Sequence, residues 1–118
     1  MLIAQLTCAV ISVTDADTVR CQDGTRVRLA AINARESDGS CRTGMVCPIM
    51  PPARAKAIVT RMVLGKRLTC VPKGKSWSRI VGDCRFQNGR SVSCDIAATG
   101  AAAWEPTWAA RYNLRCPL

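Results

Sequence analysis

The sequence predicts a small, mainly β domain in which two to three helices pack on a closed five-stranded barrel. The chain has 118 residues, a typical length for one domain, so a single domain over residues 1–118 is expected. Three strand-like segments come first, then a helical segment, two more strand-like segments and a second helical segment. This order of elements is that of an oligonucleotide-binding (OB) fold.

The first half of the chain contains the first three predicted strands. Residues 3–13 are rich in Leu, Val and Ile and alternate loosely, and residues 18–21 form a second short strand before an Asp-Gly hairpin signal. Residues 25–32 place arginines on one face and aliphatic side chains on the other, which indicates a third strand. Residues 33–51 contain Gly, Ser and Pro with little periodicity, so they are expected to form a loop.

The second half contains both predicted helices. A pair of prolines opens a segment whose apolar residues recur at intervals of three and four, and Gly65 is its expected end. Residues 67–72 and 78–87 predict the fourth and fifth strands, with a basic turn between them. An Asn-Gly pair then leads to a short strand over 90–93, and alanines over 94–102 predict the second helix.

Composition excludes several classes of function. There are 17 Lys and Arg against 8 Asp and Glu, a net charge of +9, which favours a polyanionic partner. No apolar run reaches the ~18 residues of a membrane span, so no membrane association is expected. The chain has no histidine, which removes Ser-His-Asp, Cys-His and His-zinc catalysis. Carboxylates, arginines and a hard metal ion would have to perform any catalysis.

The eight cysteines predict four disulfides. No C-x2-C pair is present, so a structural zinc site is not expected. Eight cysteines allow 105 pairings, but Cys8 and Cys21 flank the first hairpin, and Cys70 and Cys84 lie on consecutive strands. Opposed residues on antiparallel strands are close enough for a disulfide. The predicted bridges are Cys8–Cys21, Cys41–Cys47, Cys70–Cys84 and, by elimination, Cys94–Cys116.

Disulfides indicate an oxidising compartment, and we expect the protein to be periplasmic or secreted. The segment Met1–Leu6 has no basic region and is not expected to be a signal peptide. We interpret the chain as an exported domain without its signal peptide; the alternative is that the cysteines have another purpose.

Acidic residues cluster between residues 15 and 38 and alternate with arginines. Two of these carboxylates are explained by turns, which leaves Asp15, Asp17 and Glu36. They form either ordinary surface ion pairs or a hard-cation site beside arginines that bind a phosphate.

The motifs in this region resemble those of the staphylococcal nuclease-like family. Residues 13–20 (VTDADTVR) are similar to its D-G-D-T motif, and residues 24–36 (GTRVRLAAINARE) to its R-V-R-L-x-G-I-D-A-P-E motif. Residues 77–81 (WSRIV) lie where the family has Y-G-R-x-x, and residues 88–90 (NGR) match its next turn. The resemblance covers residues 8 to about 102, and the cysteine pattern is similar to that of exported bacterial members.

The resemblance implies a calcium-dependent nuclease that hydrolyses phosphodiester bonds of DNA or RNA with metal assistance. Asp17 would coordinate the calcium ion, and Arg28 and Arg79 would bind the scissile phosphate. Glu36 would activate or position the attacking water. Trp77 would keep an aromatic face on which a base could stack.

Two residues at the end of the second motif depart from the family pattern. The second ligand Asp is Asn33 and the family's Pro is Arg35, whereas Ala34 between them matches the family's Ala. The Asn33 side chain and the Ala34 backbone carbonyl can still bind calcium, and Asp15 could compensate for the lost charge. The resemblance therefore implies a Ca²⁺ site that is weak or lost.

We expect Lys73 and Lys75 to lie on a basic face that attracts DNA or RNA, preferably single-stranded. The protein is expected to be a monomer. Trp104, Trp108 and Tyr112 recur every four residues, which predicts packing rather than base stacking.

Two alternative functions stay open. One is a catalytically weakened or inactive homologue that binds nucleic acid, and the other is a secreted module that binds a protein or an acidic glycan.

Overall fold

A closed β-barrel forms the centre of the protein in this computed structural model, which describes residues 4–117. In chain order the elements are β1 (Leu6–Asp15), β2 (Thr18–Cys21), β3 (Arg26–Leu29), β4 (Ile32–Asn33), α1 (Pro52–Val63), β5 (Arg67–Ser76), β6 (Arg79–Arg85), α2 (Val92–Thr99), β7 (Ala103–Trp104) and α3 (Pro106–Arg111). The barrel order is β1-β2-β3-β6-β5, and β5 pairs with β1 to close it. The predicted five-stranded barrel with helices is therefore confirmed.

Most neighbouring strands of the barrel are antiparallel, but β3 and β6 are parallel. Aliphatic side chains fill the interior, and Leu29, Leu68 and Val19 are among those fully buried. The helix α1 packs on the barrel through Ala55, Val59 and Val63, whose spacing of four places them on one helical face. Within residues 4–117 no helix has the length and apolar character that a membrane crossing requires.

Four disulfides reinforce the barrel and its surroundings, and all eight cysteines are paired. One bridge joins β1 to β2, one joins β5 to β6, one closes the loop before α1, and one ties α2 to the C-terminal segment. The pairs are Cys8–Cys21, Cys70–Cys84, Cys41–Cys47 and Cys94–Cys116. This is the predicted connectivity.

The predicted third strand, residues 25–32, is interrupted in the structure. Ala31 has a φ of +67°, a left-handed conformation that turns the chain away from the barrel. The next residues form β4, which pairs with β7 in a separate two-stranded sheet. This turn positions the segment that begins at Asn33.

Two further predictions are wrong. The expected strand at residues 90–93 makes only one isolated bridge, between Ser91 and Arg85. Ser91 instead caps α2, because its Oγ accepts a hydrogen bond from the Cys94 N–H at 3.1 Å. The expected basic turn before residue 77 lies within β5, which continues past a bulge between Pro72 and Gly74.

The ends of the chain also differ from prediction. The predicted first strand begins at residue 3, which lies outside the described residues together with part of the segment Met1–Leu6. The aromatic tail contains the short helix α3, in which Trp108 stacks on Tyr112 at a ring-centroid distance of 5.6 Å.

Candidate functional site

Arg28 lies at the centre of the candidate site and is held in place by several partners. It extends from β3, and only 9% of the residue is exposed. Its Nη1 donates to the carbonyl oxygens of Leu29 at 3.0 Å and Ile32 at 2.6 Å. Its Nη2 lies 3.4 Å from Asp17 Oδ2. The guanidinium therefore has a fixed position at the end of the barrel.

Asp17 connects this arginine to two neighbouring segments. Its Oδ1 accepts a hydrogen bond from the Thr18 hydroxyl at 2.9 Å. Its Oδ2 accepts one from the Ala34 N–H at 2.9 Å, beside Arg28. Since Asp17 is buried, these donors and the nearby guanidinium stabilise its negative charge. The carboxylate thus links the turn after β1 to the segment after β4.

Arg79, at the start of β6, reaches the same place and contacts Thr18. Its Nη1 donates to Thr18 Oγ1 at 3.3 Å, and its Nη2 donates to Ser76 Oγ at 3.2 Å. Burial lowers the pKa of Arg28, and the positive charges of Arg79 and Arg42 lower it further, against the effect of Asp17. The arginines are therefore close enough for mutual repulsion.

A polar cavity of about 40 Å³ lies between these side chains. Its walls include three carboxylates and four guanidinium groups, those of Asp15, Asp17, Glu36, Arg28, Arg35, Arg42 and Arg79. Asn33 and Ala34 complete the wall. The structure thus brings together every residue expected to be catalytic or to bind the metal; their roles stay predictions.

Asp15 is affected by the crowding of carboxylates. Burial raises its pKa above the usual 3.8, and the charges of Asp17 and Glu36 raise it further. Lys56 and Arg79 oppose this shift. The three carboxylates consequently repel one another across the cavity.

Arg42 was not predicted from the sequence, although it lines the cavity. Its Nε lies 3.7 Å from Glu36 Oε1, and both side chains are nearly half exposed. Arg42 follows Cys41 in the loop that the Cys41–Cys47 disulfide closes. The available signal for its place in the site was that this short loop follows soon after Glu36. Sequence spacing alone did not indicate that the loop folds back over the site.

Asn33 and Arg35, which depart from the pattern of the resembled family, form hydrogen bonds to the loop that contains Arg42. Asn33 Nδ2 donates to the Val46 carbonyl at 2.9 Å. Arg35 Nε donates to the Pro48 carbonyl at 2.6 Å, and its Nη1 donates to the Gly39 carbonyl at 2.6 Å. We call residues 36–48, with these attachments, the anchored loop.

Glu105 is a further attachment that the sequence did not indicate. It is 5% exposed and lies just before α3. Its Oε1 accepts a hydrogen bond from the Val46 N–H. The same loop residue is therefore held by Asn33 through its carbonyl and by Glu105 through its amide.

The donor groups fit a calcium ion poorly. Both Asp17 oxygens already accept hydrogen bonds, and Arg28 lies beside one of them. In the described part of the chain, no group of three or more His, Cys, Asp or Glu side chains is arranged to hold a metal ion. A hard cation needs several oxygen ligands, and both oxygens of Asp17 are already engaged by hydrogen-bond donors.

A larger pocket of about 190 Å³ adjoins the polar cavity and shares Arg28 and Arg42 with it. Trp108 and Tyr112, which were expected only to pack, contribute to its wall with aliphatic residues of the barrel end. Lys75 also lines it. The pocket thus combines aromatic and aliphatic walls with cationic groups, a composition typical of ligand sites.

The other predicted nucleic-acid-binding residues lie outside both cavities. Trp77 is at the tip of the β5–β6 hairpin, 90% exposed, with a left-handed φ of +58°. Lys73 is half-buried within β5. Of the three predicted contacts, Lys75 alone lines the larger pocket.

Comparison with known proteins does not assign the chain to a family. No family model matches the chain, and no curated protein matches it.

Proposed function

We propose that this protein binds single-stranded DNA or RNA and hydrolyses its phosphodiester bonds. The supporting observation is a polar cavity beside a pocket with aromatic walls. Arg28 and Arg79 are two of the four arginines that line the cavity, and the half-exposed Glu36 is one of its three carboxylates. We further propose that the protein acts as a monomer and that it is located in the periplasm or outside the cell. The four disulfides support that location.

The arginines would stabilise the phosphate and its transition state. Guanidinium groups donate paired hydrogen bonds to phosphate oxygens, and they remain charged at physiological pH. When water attacks phosphorus, negative charge accumulates on the non-bridging oxygens. Because Arg28 is held by backbone carbonyls and Asp17, little reorganisation accompanies its interaction with this charge.

Glu36 is the group proposed to activate the water. Its carboxylate is nearly half exposed, so water can reach it, and the chain has no histidine that could serve as the base. The carboxylate would accept a proton as the water oxygen bonds to phosphorus. The bond from phosphorus to the leaving sugar oxygen would then break, and this oxygen would take a proton from solvent.

The larger pocket would receive the nucleoside next to the reacting phosphate. Its volume of about 190 Å³ suits a base and part of a sugar. Trp108 and Tyr112 provide ring faces, and base–aromatic stacking contributes ~1–3 kcal/mol per base. Lys75 would contact a neighbouring phosphate.

The experiment is a cleavage assay with labelled single-stranded DNA and RNA, run in parallel with calcium and with chelator. The resemblance implies calcium, but the poor donor fit leads us to expect little change on chelation. Arg79→Ala and Glu36→Gln should each lower kcat by roughly 10²–10³-fold, with a smaller effect on KM. Arg61→Ala, an exposed arginine of α1, is the matched control and should cleave normally. Equal losses in the control would contradict the assignment.

A second candidate function is a barrel that binds nucleic acid without cleaving it. The use of Asn33 as a loop attachment, where the resembled family has a ligand Asp, favours this candidate. Salt-dependent oligonucleotide binding with no cleavage under either condition would establish it. Absence of salt-dependent binding would instead favour a protein or glycan partner, because neutralised phosphates release counterions.

A further inference from the structure

We infer that Arg42 is a third phosphate-binding group and that the anchored loop serves to present it. The inference rests on the proposed function, since it concerns the same cavity. It adds a contact that the family motifs do not contain. It also explains why Asn33 and Arg35 are directed at the loop.

Arg42 occupies the boundary between the two cavities. Arg28 and Arg42 are the residues that line both the polar cavity and the larger pocket. A nucleoside in the larger pocket and a phosphate in the polar cavity must be joined across this boundary. A phosphate oxygen at that junction would therefore meet the Arg28 and Arg42 guanidinium groups together.

The two arginines differ in burial and in hydrogen bonding, which gives them different tasks. Arg28 is buried and bonded to two carbonyls, so its position is fixed. Arg42 is 46% exposed, and its 3.7 Å separation from Glu36 is longer than a hydrogen bond. Arg42 can therefore leave Glu36 for an incoming phosphate at low cost. That movement also uncovers the Glu36 carboxylate for water.

The backbone of the loop that carries Arg42 is attached to the rest of the protein at several points. Cys41–Cys47 closes it over a sequence separation of 6. Val46 is bonded at its carbonyl to Asn33 and at its N–H to the buried Glu105, which is 59 positions away along the chain. These attachments restrict the backbone on both sides of Arg42 while its side chain stays exposed. Such a restricted backbone reduces the entropy lost when the side chain binds.

The charge of the cavity agrees with an anionic ligand. Four guanidinium groups and three carboxylates line it, so the side chains carry a net positive charge. Without Arg42 the two signs would balance. Arg42 thus makes the difference between a neutral cavity and one that attracts phosphate.

The test measures binding of a short single-stranded DNA oligonucleotide by fluorescence anisotropy over a series of salt concentrations, with chelator present. Arg42→Ala should weaken binding about tenfold, and the log–log salt slope should fall in magnitude by ~0.7, the loss of one phosphate contact. Arg42→Lys should retain the slope. Arg61→Ala should match the wild type, because Arg61 lies on α1 outside both cavities.

Presentation by the loop is tested with the double variant Cys41→Ser/Cys47→Ser. This variant should bind about as weakly as Arg42→Ala, and adding Arg42→Ala to it should cause no further loss. Its thermal midpoint, followed by circular dichroism, checks that the barrel is intact. Independent, additive losses would overturn the claim that the loop presents Arg42.

The outcomes separate this inference from the proposed function. An unchanged slope and affinity in Arg42→Ala would overturn the role of Arg42 while leaving cleavage by the wild type intact. A reduced slope in a protein that does not cleave would support Arg42 and overturn hydrolysis. A wild type that does not bind the oligonucleotide overturns both.

Discussion

Replacing Asp17 with Asn tests how strongly the buried ion pair stabilises the barrel. The change keeps the shape of the side chain, and its carbonyl oxygen can still accept the Ala34 N–H. It removes the negative charge that lies 3.4 Å from Arg28 Nη2. The guanidinium then remains buried with only backbone carbonyls as partners.

The expected loss follows from the burial of both partners. The Arg28 and Asp17 side chains are 11% and 8% exposed, so water screens their attraction little. At this separation two unit charges attract by about 5 kcal/mol at an effective dielectric constant near 20. Removing one member of a buried pair typically costs ~3–5 kcal/mol. Because Arg28 keeps two carbonyl partners, we expect about 3 kcal/mol, the lower end of that range.

The assay is urea unfolding of the oxidised protein at pH 7, with the m-value fitted separately for each variant. Asp95→Asn is the matched control, because it removes the charge from an ion pair in which Arg90 is exposed. Arg90 donates to both Asp95 oxygens, and Asp95 lies in the first turn of α2, so the control should lose at most ~1 kcal/mol. A loss below about 1 kcal/mol in Asp17→Asn, with an unchanged m-value, would refute the stabilising role of the pair.

Three further changes test other parts of the structure. Asp15 has a raised pKa, so its ionisation destabilises the fold above that pKa and has no effect below 3.8. Asp15→Asn should therefore raise the thermal midpoint at pH 7 but not at pH 3. In Gly82→Ala the new Cβ would lie 3.0 Å from Val27 Cγ1, and denaturant unfolding should show a loss of ~1–3 kcal/mol. Replacing Cys70 and Cys84 together by Ala opens a bridge with a sequence separation of 14, and the same assay should show a loss of about 3 kcal/mol. If Gly82→Ala loses no stability, the close packing described at Gly82 is contradicted. If the double Cys variant loses none, the stabilising role of the Cys70–Cys84 bridge is contradicted.

Local patterns in the sequence were sufficient for most elements of the fold. The helix α1 was predictable because its apolar residues recur at helical spacing and prolines precede it. The Cys70–Cys84 bridge was predictable because its cysteines lie on consecutive strands, and the structure places them directly opposite each other in an antiparallel pair. The interruption at Ala31 was missed, although the resembled motif R-V-R-L-x-G-I-D has Gly at this position, a residue that readily adopts positive φ.

Contacts between distant segments could not be predicted in the same way. The parallel pairing of β3 with β6 joins segments separated by about half the chain, and parallel pairs have no turn signal between them. For the site, motif positions identified Asp17, Arg28 and Glu36. They did not identify Arg42 or Glu105, whose positions depend on how the anchored loop folds back.

The order of the disulfides along the chain has a consequence for biosynthesis. Each bridge joins one cysteine to the next, so no two bridges are nested or crossed. An oxidant that joins cysteines in the order in which they leave a ribosome or a translocation channel produces the native set directly. The two cysteines of a bridge are at most 22 positions apart, so the second cysteine of each pair emerges soon after the first. Among 105 possible arrangements, this is the one that vectorial oxidation reaches without an isomerase.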